Sequence, residues 1–264
     1  MKVALICSLF FDNPNNFFIG NYYETANIMF RSAKKHFLPT EDVDLIAITN
    51  VDHPIGLDFV NVIRKDAAIH NIYHALTMKV LCIEYLEKEY DYIFIVDADS
   101  IFVNTVSRDD VLDADFIFLE HFFKPSYFNT LAEMTKFISC DFNMHENTWT
   151  MGNFFGGKGD IMIDFFNKSK VVHDNHFQKD IMPEYQYYCK YAEEMFIGKY
   201  AYEEPINYKK LSVKFDPMQP SNEDCFLSDF INSESYYPNI VGPRLLHDTK
   251  KNMALLAEVI KYYE

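Results

Sequence analysis

Residues 89–104 read EYDYIFIVDADSIFVN, an apolar run from Tyr92 to Val96 followed at once by Asp97 and Asp99. The run is too short for a core helix and too continuous for a half-exposed strand, so it reads as a strand buried inside a sheet. Such a strand needs flanking strands and covering helices, and the first half of the chain supplies both. Val3 to Leu9 reads as a first strand. "NYYETANIMFRSAKKHF" then sets Tyr22, Ala26, Met29, Phe30, Ala33 and Phe37 at helical spacing. The strand "DLIAIT", an extended piece at 59–63 and a helix over 68–88 lead into the opening strand, and a short strand is predicted at 101–103. Strand–helix–strand alternation in this order predicts an α/β fold, Rossmann-like, with a mostly parallel central sheet and flanking helices.

The second half is less regular. "DFIFLEHFF" predicts a strand ending at Glu120 and His121, followed by a polar and aromatic loop. In "TWTMGNFFGGKGDIMIDFFNKS" an aromatic strand meets Gly156 and Gly157, where a turn into a helix is expected at about Asp160. Pro183 opens a further helix through "YAEEMFIGKYAYEE". The strand "KKLSVKF" and a C-terminal helix after "HDTKKN" complete the reading. With 8 Gly and 10 Pro in 264 residues, no long linker is indicated. The expectation is one domain over 1–264, with a nucleotide-binding half at 1–104 and an acceptor and catalytic half at 105–264.

Charge narrows the function classes. A formal net charge of −15 argues against a general nucleic-acid role, which needs a basic field. An anionic ligand would need a metal or a local cluster of lysines. The 5 cysteines are scattered without metal-ligand spacing, which points to reduced thiols and a cytoplasmic protein. No apolar run reaches the length of a membrane span. Aromatic residues make up 17% of the chain, and Tyr and Phe suit both cores and sugar- or base-stacking surfaces.

Asp-x-Asp is common in so acidic a chain; Asp42-Val43-Asp44 and Asp113-Ala114-Asp115 repeat it. Those two precede apolar runs, where acids turn or cap the chain. Asp97 and Asp99 follow one, and ligands of open α/β sheets gather beyond the carboxyl ends of strands. Such a pair suits a hard cation, which takes oxygen ligands, or else forms a solvated strand-end turn. The glycines of "GNFFGG" at 152–157 permit close approach to a ligand, or serve a tight turn. Glu193 and Glu194 diverge by about 100° on a helix, so either one faces a cleft while the other meets solvent, or the pair is simply a solvated face. His247, Lys250 and Lys251 form a positive spot fit for a diphosphate, or merely a helix start.

Taken in order, these segments resemble glycosyltransferase family six, which includes the histo-blood-group A and B transferases, the alpha-1,3-galactosyltransferases and shorter bacterial and viral members. "IGNYYETANIMFRSAKKHF" is similar to the family's first helix, "DYIFIVDADSIF" to its strand and metal motif, and "LEHFF" to its acceptor-site histidine region. "WTMGNFFGG" resembles its YYxGxFFGG element, "YAEEMFIGKY" its WHDESHLNKY helix, and "KKN" at 250–252 its C-terminal diphosphate-binding motif. The chain departs where Ala192 and Tyr191 replace a histidine and a tryptophan, and where His74 falls near a donor-contacting arginine.

The resemblance implies a GT-A type fold and a retaining, metal-dependent transfer of galactose, or N-acetylgalactosamine, from a UDP-sugar to an oligosaccharide acceptor in alpha-1,3 linkage. It implies Mn²⁺ or Mg²⁺ on Asp97 and Asp99, and Glu194 as the catalytic carboxylate. Donor contacts fall to Ile19, Tyr22, Met151, Asn153 and Lys251, and acceptor contacts to His121, Trp149 and Tyr191. Met151 and Asn153 match positions that set room for the sugar's 2-substituent, and their size favours galactose. Two rival readings would use the same aspartates differently or not at all: another metal-dependent nucleotide enzyme such as a nucleotidyltransferase, and a non-catalytic carbohydrate-binding protein.

Overall fold

A computed structural model describes residues 1–11, 19–52, 55–69, 72–98, 100–102, 105–120, 150–176, 192–211 and 240–241. The first strand, β1 (Lys2–Leu9), leads to helix α1 (Ile19–His36), then β2 (Asp42–Thr49) and β3 (Val60–Arg64). Helix α2 (Ile72–Leu81) tightens into a 3₁₀ turn at Cys82–Tyr85 before β4 (Tyr92–Val96). A short β5 (Ile101–Phe102) and the one-turn α3 (Arg108–Val111) precede β6 (Phe116–Glu120). After β7 (Thr150–Lys158) come α4 (Gly159–His176), α5 (Ala192–Glu203), β8 (Tyr208–Leu211) and β9 (Ile240–Val241).

Seven strands form one sheet in the order β3-β2-β1-β4-β7-β6-β8. The pairs β1–β2, β2–β3, β1–β4 and β6–β8 are parallel, while β7 runs antiparallel to both β4 and β6. This is the expected α/β architecture, with a mostly parallel mixed sheet between helices. Strands from both expected halves of the chain share the one sheet. β5 and β9 pair separately.

Alternate side chains of β1 go to opposite faces, as a pleated strand requires. Val3, Leu5, Cys7 and Leu9 pack with Ala26, Met29, Phe30 and Ala33 of α1. Ala4 and Ile6 pack on the other side with Met78 and Leu81 of α2, Phe165 of α4, and Phe196 and Ile197 of α5. Part of the aromatic content packs here. Phe37, Phe94, Phe102 and Phe154 form one ring cluster, with Phe37 5.3–5.4 Å from Phe102 and Phe94. Phe116, Phe155, Phe165 and Tyr200 form another on the opposite face. Neighbours Phe154 and Phe155 thus anchor one to each core.

Two expectations need correction. The helix expected over 68–88 is regular only at Ile72–Leu81, because its last turn tightens and leaves the α form at Cys82. The strand expected at 209–215 is described at Tyr208–Leu211, and residues 212–215 lie outside the described residues. Gly156 and Gly157 are not a strand-to-helix turn; they lie inside β7. A Cβ on Gly156 would stand 2.4 Å from Ile93 O, and one on Gly157 2.1 Å from Asp115 O. These glycines let β7 lie close against β4 and the start of β6, so they serve strand packing and not a ligand. No described helix is long and apolar enough to cross a membrane.

Candidate functional site

The aspartate that ends β4 is held by backbone first. Asp97 N–H donates to Asn153 O at 2.9 Å, which extends the β4–β7 pairing one residue past the strand. Between β6 and β7 the register jumps: Phe118 faces Phe155, but Leu119 faces Met151. Gly152, Asn153 and Phe154 are therefore extra on the β7 side, a bulge of the kind that frees backbone groups beside functional sites.

The freed Gly152 carbonyl accepts from the Lys79 ammonium at 3.2 Å. Lys79 lies on α2 between Met78 and Val80 and is only 7% exposed. Its ammonium also meets Asp97 Oδ1 at 2.6 Å and Glu193 Oε1 at 3.2 Å. Burial works against this charge, but the Asp97 and Glu193 carboxylates outweigh it and hold Lys79 above the ordinary lysine range. An ammonium has three protons, and these three acceptors take them.

Glu193 and Glu194 stand in the opening turn of α5, which the Thr150 hydroxyl ties to β7 by donating to Glu194 O at 2.8 Å. The pair is not a solvated face: Glu193 is buried and Glu194 only partly exposed. Glu193 is 5% exposed, and although Glu194 is partly exposed as a residue, Oε2 of each is buried and has no hydrogen-bond partner among the described residues. Burial pushes the Glu193 carboxyl up, Lys79 opposes it and Asp97 adds to it. Burial pushes Glu194 up to about 8, against the pull of Lys79 and a backbone hydrogen bond from Gly152. Gly152 leaves no room for a side chain, since its Cβ would stand 2.7 Å from Glu193 Cγ. The space beside this glycine is taken by the Glu193 side chain.

Three of the expected site residues thus gather at one end of β4 and β7: Asp97, Asn153 and Glu194. The sequence reading did not name Lys79. Its only signal was a lysine set within an apolar stretch of helix. At the carboxyl ends of β1 and β2, Tyr22 is 38% exposed and stands edge-on to Phe11, with ring centres 6.0 Å apart. Phe11 N–H donates to Asn50 Oδ1 and Asn50 Nδ2 donates to Phe11 O, while Tyr23 is tied to Thr49 by a 2.8 Å hydrogen bond. Ile19 opens α1, and Met151 lies in β7 facing Leu119 in register. His74 packs beside His173 of α4, with ring centres 5.2 Å apart. Asp99, His121, Trp149, Tyr191, His247, Lys250 and Lys251 lie outside the described residues.

Among the described residues no three His, Cys, Asp or Glu side chains form a ready metal cluster. Asp97 is nonetheless chemically suited to a hard cation, since its side chain is 27% exposed and only Oδ1 is engaged by Lys79. Comparison of the sequence with protein-family models and with curated proteins finds no match.

Proposed function

We propose that the protein is a retaining glycosyltransferase that moves galactose, or N-acetylgalactosamine, from a UDP-sugar to a glycan acceptor in alpha-1,3 linkage. The observation that carries this reading is the meeting of Asp97, Asn153 and the buried Glu193–Glu194 pair beyond the end of a central α/β strand. The sequence resemblance to glycosyltransferase family six supports it, because the motifs that carry the resemblance include these residues. Asp97, with Asp99, would hold a divalent cation, Mn²⁺ or Mg²⁺. That ion supplies positive charge against the diphosphate as UDP departs.

The residues then divide the work. Cleavage of the bond from the sugar's anomeric carbon to phosphate sends the electron pair to UDP. The acceptor hydroxyl oxygen bonds the same carbon, and its proton passes to the departing phosphate oxygen. Retention requires a group that stabilises or attacks the oxocarbenium-like centre on the face opposite UDP, and Glu194 fills that role. Burial favours its neutral form, so its proton leaves to solvent before Glu194 acts as a carboxylate. A positive centre developing nearby favours the ionised form, so Glu194 interacts most strongly when positive charge appears. Asn153 lies half-buried beside Asp97, where its amide can meet a sugar hydroxyl. Tyr22, exposed at the ends of β1 and β2, offers a face to the uracil.

A screen of UDP-sugars for metal-dependent hydrolysis tests the reading without knowledge of the acceptor. UDP-galactose should be hydrolysed slowly in Mn²⁺ and not in EDTA. Glu194→Gln should cut kcat by orders of magnitude with donor affinity little changed. Hydrolysis of a nucleoside triphosphate in place of any UDP-sugar would favour nucleotidyl transfer, and metal-indifferent sugar binding would favour a non-catalytic role.

A further inference from the structure

The Lys79 ammonium sits where a cation is needed, but it is not free to bind a ligand. It is buried, and Asp97 Oδ1, Glu193 Oε1 and Gly152 O account for its three protons. A lysine so saturated cannot donate to a phosphate without breaking one of these bonds. Its effect on a ligand must run through the groups it holds. Those groups come from β4, β7 and α5, while the lysine itself comes from α2.

We propose that Lys79 is a positioning residue, the resident counter-cation of the site, which turns Asp97 so that Oδ1 is covered and only Oδ2 is left for a divalent cation. The role of that cation rests on the glycosyltransferase reading. Two consequences follow from charge. Asp97, Glu193 and Glu194 would crowd three acidic groups at one end of β4 and β7, and Lys79 offsets one of them. The same positive charge repels a second cation, so the empty protein holds a divalent ion weakly. A UDP diphosphate brings its own negative charge and oxygen ligands, so the ion binds well only together with the nucleotide. Lys79 thereby sets an order: metal with nucleotide, not metal before it. Oε2 of Glu193, buried and without a hydrogen-bond partner among the described residues, belongs to the same device. It keeps acidic character beside Asp97 after Lys79 has engaged Oε1.

The experiment measures Mn²⁺ binding alone, by the paramagnetic resonance of free Mn²⁺, for the full chain and for Lys79→Met. Loss of a unit positive charge a few ångströms from the ion, with Oδ1 freed, should tighten Mn²⁺ binding by about tenfold or more. With saturating UDP the difference should shrink. A lysine with a purely structural role gives the opposite pattern, with binding weakened alike with and without UDP. Should Lys79→Met fail to fold, the same comparison is made between Glu193→Gln and Lys79→Met/Glu193→Gln, where the lost cation is matched by a lost acid. Unchanged or weaker Mn²⁺ binding in the folded Lys79-less protein overturns the proposal, including the case in which neither protein binds Mn²⁺. Tighter Mn²⁺ binding with no turnover of any UDP-sugar by the unaltered chain upholds it and defeats the glycosyltransferase reading instead.

Discussion

Replacing Glu194 by glutamine should change how stability depends on pH, before any substrate is added. The ordinary glutamate value is 4.5, and burial pushes this carboxyl up to about 8. The folded chain therefore holds the Glu194 proton more tightly than the unfolded chain does. Stability that depends on the protonated form is complete below about pH 4.5, declines as pH rises, and is gone above about pH 8. A full shift of that size corresponds to on the order of 4–5 kcal/mol at about 1.4 kcal/mol per pK unit. Glu194 keeps some exposure, and solvent screens part of the effect, so about 2–4 kcal/mol is the expected span. Glutamine is neutral throughout and carries no such term. Urea unfolding of both proteins across pH 5 to 9 reads the difference directly, because every other titrating group is common to the two. The variant should match the unaltered protein near pH 5 and exceed it by about 2–4 kcal/mol near pH 9. Parallel stability profiles would refute the claim that this carboxyl is buried without adequate compensation.

Asp97→Asn should abolish Mn²⁺-supported UDP binding, measured by calorimetry. It should also lower stability by about 1–3 kcal/mol, because it takes one partner from a buried lysine that retains Glu193; retained UDP affinity would exclude Asp97 as a metal ligand. Gly157→Ala should cost about 3 kcal/mol or more, since its Cβ would stand 2.1 Å from a backbone oxygen, whereas Gly56→Ala, with nothing within 4 Å, should leave the unfolding temperature nearly unchanged. If Asn153 limits room at the sugar's 2-position, UDP-galactose should be hydrolysed faster than UDP-N-acetylgalactosamine. Asn153→Gly should then narrow or reverse that preference in side-by-side assays, and an unchanged ratio would remove Asn153 from the pocket wall.

What the sequence made legible follows the physics of each element. Tyr92–Val96 was read with its observed bounds because a continuous apolar run between charged residues has few ways to fold. Asp97 was separable from the other Asp-x-Asp pairs for a similarly local reason, its place after a strand. The glycines misled because a glycine reports only that a Cβ is unwelcome. At Gly156 and Gly157 the intruder is the backbone of neighbouring strands, not a turn or a ligand. The helix expected over 68–88 was drawn too long because apolar spacing continues through the 3₁₀ turn, and the pattern does not register a change from four-residue to three-residue hydrogen bonding.

Lys79 and the register jump at Gly152 share a deeper reason for being hidden. Each is a relation between elements far apart in the chain. A lysine between Met78 and Val80 looks like an ordinary helix position whose head reaches solvent. Only the meeting of β4, β7 and α5 makes it the charge that Asp97 and Glu193 require. The bulge likewise exists only because β7 changes register against β6 between Phe118 and Leu119 while keeping a single register against β4. Motif reading selects carboxylates because metals and sugars call for them. It does not ask what keeps several carboxylates together when nothing is bound. Here that task falls to a lysine from a fourth element, so a search for sites in such chains should look for a buried cation beside the acids as well as for the acids themselves.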